Sequence, residues 1–176
     1  MKTKLTILGP FFENPHKQYS IRELSRILKI NHTTVRQYLN MLVKEEFLLF
    51  KKDRVYSFYQ LRLSKKTLNL KLYYNLEKLR LSNLIEDLEK IYDFPVIVLF
   101  GSYASAMDDS TSDIDICLIS NIEKEFAIDK YEKYLNRNIS LHKFKKDQFE
   151  KMKKTNPNLI NNICNGIVLS GELEVM

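Results

Sequence analysis

The chain has 176 residues, 44% hydrophobic and 28% charged, a composition ordinary for a globular protein and enough for one large core or two small ones. No apolar run approaches the roughly 20 residues of a membrane span, and no cleavage pattern follows the start, so the expectation is a cytoplasmic protein without a membrane role. The formal charge of +6 is uneven: +6 over residues 1–60, +3 over 61–92 and −3 over 93–176. A basic front half suits a polyanion, and an acidic rear half suits a cation.

The chain starts with a short apolar patch that Gly9-Pro10 interrupts. A helix is then predicted over Ser20 to Lys29. Ser20-Ile21-Arg22-Glu23 has the form of a capping box, and Ile21, Leu24, Ile27 and Leu28 fall on one face. Asn31 caps a second helix whose apolar stripe is Val35, Tyr38, Leu39 and Leu42. Thr33, Thr34, Arg36, Gln37 and Asn40 lie off that stripe and suit phosphate oxygens or base edges, while His32 simply occupies the first turn. Two strand-like runs, Phe47–Phe50 and Val55–Tyr59, flank a basic turn of Lys51, Lys52, Asp53 and Arg54, predicting a β-hairpin. Residues 1–62 resemble the winged helix-turn-helix domains of small prokaryotic regulators. That resemblance implies DNA binding through Thr33, Thr34, Arg36, Gln37, Asn40, Lys51, Lys52 and Arg54. A protein-interaction or dimerisation module is the other reading.

Residues 63–92 form a predicted helical connector. Leu68, Leu72, Leu76 and Leu79, then Leu84, Ile85, Leu88 and Ile91, give an apolar stripe along one helix, or two with a break near Ser82-Asn83.

The stretch that carries chemistry runs from Pro95 to Ala104 and on to Ile119. A β-branched run ends at Gly101-Ser102, ten residues follow, and a second strand opens with Asp113-Ile114-Asp115. Strand periodicity points Asp113 and Asp115 to one face and sends Ile114 and Ile116 into the core. Two adjacent carboxylates repel unless a cation holds them, which makes the pair a candidate Mg²⁺ clamp once phosphates add oxygens. Gly101 permits close approach of backbone to phosphate, and the Ser102 hydroxyl and following N–H groups can hold it.

Gly-Ser, ten residues and Asp-x-Asp resemble the DNA polymerase beta-like nucleotidyltransferase superfamily, particularly its minimal nucleotidyltransferases. The resemblance covers about residues 84–176. It implies an α+β domain over 93–176 with a small mixed sheet. It also implies transfer of a nucleoside monophosphate from a Mg²⁺-bound nucleoside triphosphate to an acceptor, which is left open among protein, nucleic acid and small molecule. Gly101 and Ser102 would bind the nucleotide, and Asp113 and Asp115 would bind metal and serve catalysis. Small members often form one half of a toxin–antitoxin pair, which implies a protein partner; a homodimer is the other option.

Two departures from the family pattern bear on activity. Ser105 and Ala106 stand where Arg-Gly is usual, and the next core strand, predicted over 138–142, carries Ser140 where a third carboxylate is common. Asp147 lies beyond that strand, and Asp129 and Glu132 on the helix before it, so the acceptor's proton would fall to Asp115, His142 or water. The competing reading is a DNA-binding regulator with a degenerate transferase domain that senses nucleotide or binds a partner.

Lys143–Lys154 reads as a solvated, lysine-rich helix face. Asn156-Pro157 opens a further helix that stops at Gly166, and a short strand covers 167–171. Cys117 and Cys164 lack metal-ligand spacing, and both read as buried thiols.

Overall fold

A computed structural model describes residues 2–53 and 56–173. Arg54, expected in the wing, lies outside the described residues. The chain divides into two compact units at Tyr74/Asn75.

The first unit opens with α1 (Lys2–Glu13), which runs straight through Gly9-Pro10 instead of stopping there. Proline inside a helix costs about 3 kcal/mol, but Ile7, Leu8, Phe11 and Phe12 are all fully buried on this helix, each worth about 1.5–3 kcal/mol. Burial wins, and the helix closes beyond the proline with Asn14 N–H donating to the Pro10 carbonyl at 3.1 Å. Helix α2 (Ile21–Leu28) has its predicted cap, with Ser20 Oγ accepting from Glu23 N at 3.2 Å. The other half of the capping box is replaced, because the Glu23 carboxylate pairs with Lys17 at 2.9 Å. Ile27, assigned to the apolar face, is instead 50% exposed.

Helix α3 (His32–Lys44) is capped by Asn31, whose Oδ1 accepts from Thr34 N at 2.8 Å. Val35, Leu39 and Leu42 bury its stripe, with Tyr38 packed at the margin. The hairpin of β1 (Leu48–Lys52) and β2 (Ser57–Leu61) is antiparallel, with Leu48 opposite Leu61 and Lys52 opposite Ser57. Lys51 and Lys52 therefore lie in β1 and not in the turn, where Asp53 N–H donates to Tyr56 O at 2.8 Å. Tyr19 forms a bridge to Tyr59 that adds a short third pairing to the hairpin.

Helix α4 (Lys65–Ser82) ends at Asn83, whose left-handed φ of 58° separates it from α5 (Leu84–Tyr92) at the predicted break. Its leucine stripe is only half-buried at Leu68, Leu72 and Leu76. The fully buried seam is Thr67, Lys71, Asn75 and Leu79, three polar residues at helical spacing that resemble a surface face in the sequence.

The second unit is built on a four-stranded mixed sheet in the order β5 (Ile139–Phe144), β4 (Ile114–Ile119), β3 (Val96–Phe100), β6 (Ile167–Ser170). β4 and β5 are parallel, and the other pairs are antiparallel. The two faces bury alternate residues, as strand period requires. Ile97, Leu99, Ile114, Ile116 and Leu118 pack with Leu79, Leu84, Leu88 and Tyr92 and with Tyr131 and Leu135 of α7 (Asp129–Leu135). Val98, Phe100, Cys117 and Ile119 pack with Phe149 of α8 (Lys146–Thr155) and with Ile160 and Ile163 of α9 (Pro157–Cys164). Asn156 caps α9 as expected, its Oδ1 accepting from Leu159 N at 3.3 Å. Both cysteines are free thiols; Cys117 is fully buried, but Cys164 is only half-buried. Burial pushes the Cys117 thiol up to about 12, leaving it inert at neutral pH. Among the described residues, no helix is long and apolar enough to cross a membrane.

Candidate functional site

The site forms where β3 ends and β4 begins. Antiparallel pairing sets Phe100 opposite Asp115, so the turn after Phe100 returns beside the Asp-x-Asp segment despite ten intervening residues. Gly101 makes that turn with a φ of +73° and opens α6 (Gly101–Ala104), a single helical turn that includes Ser102. A Cβ on Gly101 would sit 2.2 Å from Asp115 Oδ2, so the carboxylate lies directly against the glycine.

Ile114 and Ile116 enter the core on one face of β4 and Asp115 is half-buried on the other, while Asp113, expected to open the strand, is exposed and lies just before it. The Asp115 carboxyl is held above its ordinary value, chiefly by burial and further by the negative charge of Asp113, with His142 pulling the other way. An acid with a raised folded-state value stabilises the fold only below the unfolded value, and it becomes a cost as pH rises through the folded one. Asp115→Asn is therefore expected to raise the melting temperature slightly at pH 7, a gain that disappears near pH 3. Thermal melts of both chains across pH check this, and an equal or lower melting temperature at pH 7 contradicts it.

The loop from Ser105 to Ser112 is fixed from outside. Ala106 holds the left-handed region at a φ of 58°, and Asp109 accepts from both the amide and the hydroxyl of Thr111, which hold its carboxyl below the usual range. Arg137, just after α7, donates to the carbonyls of Asp109 and Ser112 and pairs with Asp108 at 3.1 Å. Asn75 donates to Asp108 Oδ1 at 2.9 Å and to the Tyr103 carbonyl at 3.1 Å. Asp108, Arg137 and Asn75 went unnoticed in the sequence. A lone Arg between two asparagines and an Asn on a helix give no pattern, and only the loss of a basic residue at Ser105 marks the loop as unusual.

Register identifies the residue beside Asp115 on the next strand. Asp115 pairs with Ser140 in the parallel β4–β5 ladder, and His142 lies two residues further on the same face, its ring 5.4 Å from that of Phe100. Asp129 and Glu132 lie on α7, where Glu132 accepts from Ile139 N, and Asp147 lies on α8. Among the described residues, no group of three or more His, Cys, Asp or Glu side chains forms a metal cluster. The donor set is thus two carboxylates. It suits a hard divalent cation that completes its shell with water and phosphate oxygens, better than an ion held by protein alone. A cavity of about 310 Å³ opens beside the turn, lined by Gly101, Ala104, Ser105, Asn162 and Asn165; the two asparagines were not singled out in the sequence.

The polymerase beta nucleotidyltransferase profile matches residues 80–173, more than half of the chain. The chain belongs to that family. The matched nucleotidyltransferase domain includes α5 as well as the sheet and both site segments. Comparison with curated proteins gives no match. Among solved structures, a possible transcriptional regulator from Methanosarcina mazei Go1 is 18% identical, covers 51% of this chain and 78% of its own, and has a TM-score of 0.37. HmgR from Pseudomonas aeruginosa is 14% identical over 72% of this chain and 50% of its own, with a TM-score of 0.34.

In the first unit, Thr33, Arg36, Gln37 and Asn40 are exposed at helical spacing on one face of α3. Thr34 is half-buried and engaged at the cap. Asn40 Oδ1 accepts from Tyr59 Oη at 3.4 Å, Lys51 Nζ donates to Gln60 Oε1 at 2.8 Å, and Lys52 is exposed.

Proposed function

We propose that the chain transfers a nucleoside monophosphate from a Mg²⁺-bound nucleoside triphosphate to an acceptor. The observation that carries this is the contact of Asp115 with Gly101, which sets one carboxylate against the turn, with Asp113 two residues before it in the chain. Gly101 and Ser102 would seat the phosphates, and Asp113 and Asp115 would hold the cation. The cation, when bound, neutralises charge on the transferring phosphate. The chain's own part is to aim two carboxylates at one point, to keep a side chain out of that point at Gly101, and to hold the loop before Asp113 still. The acceptor's proton would fall to Asp115, to His142 on the same face of the sheet, or to water, with Ser140 beside Asp115.

The test is incubation with labelled nucleoside triphosphates, Mg²⁺ and candidate protein, nucleic-acid and small-molecule acceptors. Label transfer by the wild-type chain, lost by at least about 100-fold in Asp113→Ala and Asp115→Ala, supports the reading. Nucleotide binding without transfer favours the second reading, a regulator whose transferase domain senses nucleotide. The observation behind that second reading is Ser140 opposite Asp115.

For the first unit we propose a winged helix that binds DNA through Thr33, Thr34, Arg36, Gln37 and Asn40 on α3 and Lys51 and Lys52 on β1, together with Arg54. The exposed polar row on α3 and the basic strand support it. Neutralising Lys51 and Lys52 together is expected to weaken DNA binding and to flatten the log–log salt slope by about 2, read from titrations at several salt concentrations. An unchanged slope counts against contact through the hairpin. Acceptor identity, a toxin–antitoxin partner and a homodimer remain matters for the same assays run with co-purified chains.

A further inference from the structure

The cavity beside the Gly101 turn has an unusual lining for a site meant to receive four negative charges. Among the described residues it holds no lysine, no arginine and no aromatic ring. On one side are Gly101, Ala104 and Ser105 of the turn itself, and on the other are Asn162 and Asn165, one helical turn apart at the end of α9. The Ser105 hydroxyl is directed back onto the turn, toward the carbonyls of Gly101 and Ser102 at 3.2 and 3.1 Å. The donors that remain to face the cavity are the two carboxamides, each with two N–H hydrogens. Among the described residues neither carboxamide is hydrogen-bonded to the protein, while α9 itself is anchored by the buried Ile160 and Ile163.

The geometry points to Asn162 and Asn165 as the groups that bind the polyphosphate tail of the nucleotide. This rests on the transferase or sensor reading of the Gly101 turn and names the side chains that read its substrate. A phosphate chain seated on Gly101 and Ser102 beside Asp113 and Asp115 has this cavity as its continuation. The alternative occupant, a nucleobase, wants a flat apolar wall to stack on, and among the described residues the Ala104 methyl is the only apolar side chain in the lining. Neutral amide donors match phosphate oxygens without adding charge, so the positive charge in this site would come with the cation. Affinity for the tail should accordingly depend on Mg²⁺ more than on ionic strength.

Isothermal titration of the full chain separates the alternatives. The probes are inorganic triphosphate with Mg²⁺ and whichever of the four ribonucleoside triphosphates the wild type binds best. Asn162→Ala and Asn165→Ala are each expected to weaken both probes by about tenfold, and Asn162→Asp to weaken them further by repulsion. Both residues are exposed, so thermal melts of all three variants should match the wild type. Weaker nucleotide binding with unchanged triphosphate binding would overturn the assignment, since the asparagines would then contact base or sugar. Unchanged affinity for both probes overturns it as well and leaves the nucleotide reading standing. A wild-type chain that binds neither probe removes the assignment together with the reading beneath it.

Discussion

Gly101→Ala should abolish Mg²⁺-dependent nucleotide binding and destabilise the second unit together. The new Cβ would lie 2.2 Å from Asp115 Oδ2 and 3.1 Å from its Cγ, well inside contact distance, and the backbone there has a φ of +73°. The left-handed conformation alone costs an alanine about 1–2 kcal/mol. Relieving the clash requires either the turn or the Asp115 carboxylate to move, and both belong to the proposed site. A displacement of about 1 Å at such a site is enough for about a hundredfold loss. The combined strain of about 2–4 kcal/mol should lower the melting temperature by about 10 °C. The double variant Gly101→Ala/Asp115→Ala isolates the cause. It should recover part of the lost stability, because the clashing carboxylate is gone, while binding stays absent. Wild-type nucleotide affinity in Gly101→Ala would mean that the nucleotide does not sit between this turn and Asp115.

The same contact explains why so much of the site could be read before the fold was known. Gly101-Ser102 and Asp113-Ile114-Asp115 carry their geometry locally. Glycine suits the positive φ at which the β-branched run ends, and period two sorts Asp115 from Ile114 and Ile116. Ser140 was placed by the same alternation, and register with Asp115 follows once β4 and β5 pair. The break at Asn83 and the caps at Ser20, Asn31 and Asn156 were equally local. What escaped depended on partners distant in sequence. Pro10 stays helical because four neighbours on α1 are buried, and nothing near Pro10 announces that. Glu23 leaves its capping box for Lys17, a choice between two good partners. Asn162 and Asn165 look like ordinary solvated residues until α9 is laid beside the Gly101 turn. The polar seam of α4 is the clearest case. Thr67, Lys71 and Asn75 lie off the leucine stripe, yet Asn75 is fully buried with its amide committed to Asp108 and Tyr103.

That buried network should be the costliest place to edit outside the proposed metal-binding pair. The side chains of Asp108 and Arg137 are 0% and 2% exposed and pair at 3.1 Å, with Asn75 donating to the other carboxylate oxygen. Removing one member of a buried ion pair leaves its partner's charge desolvated, at a cost of about 3–5 kcal/mol. Asp108→Ala and Arg137→Met should each lower the melting temperature by about 10 °C. The combination Asp108→Asn/Arg137→Met should cost clearly less than the two single changes added together, since no uncompensated charge remains. Arg137→Met has a second consequence that Asp108→Ala lacks. Arg137 also donates to the carbonyls of Asp109 and Ser112, the latter directly before Asp113, so its loss frees the loop that delivers one of the two carboxylates. Nucleotide affinity measured well below both melting transitions should therefore fall further in Arg137→Met than in Asp108→Ala. Equal affinities in the two variants would reduce Arg137 to a structural residue, and single variants as stable as the wild type would mean the pair is not buried in solution. The loop between the two motifs has ten residues and no secondary structure over its second half, and Arg137 and Asn75 give it the order that its own sequence does not.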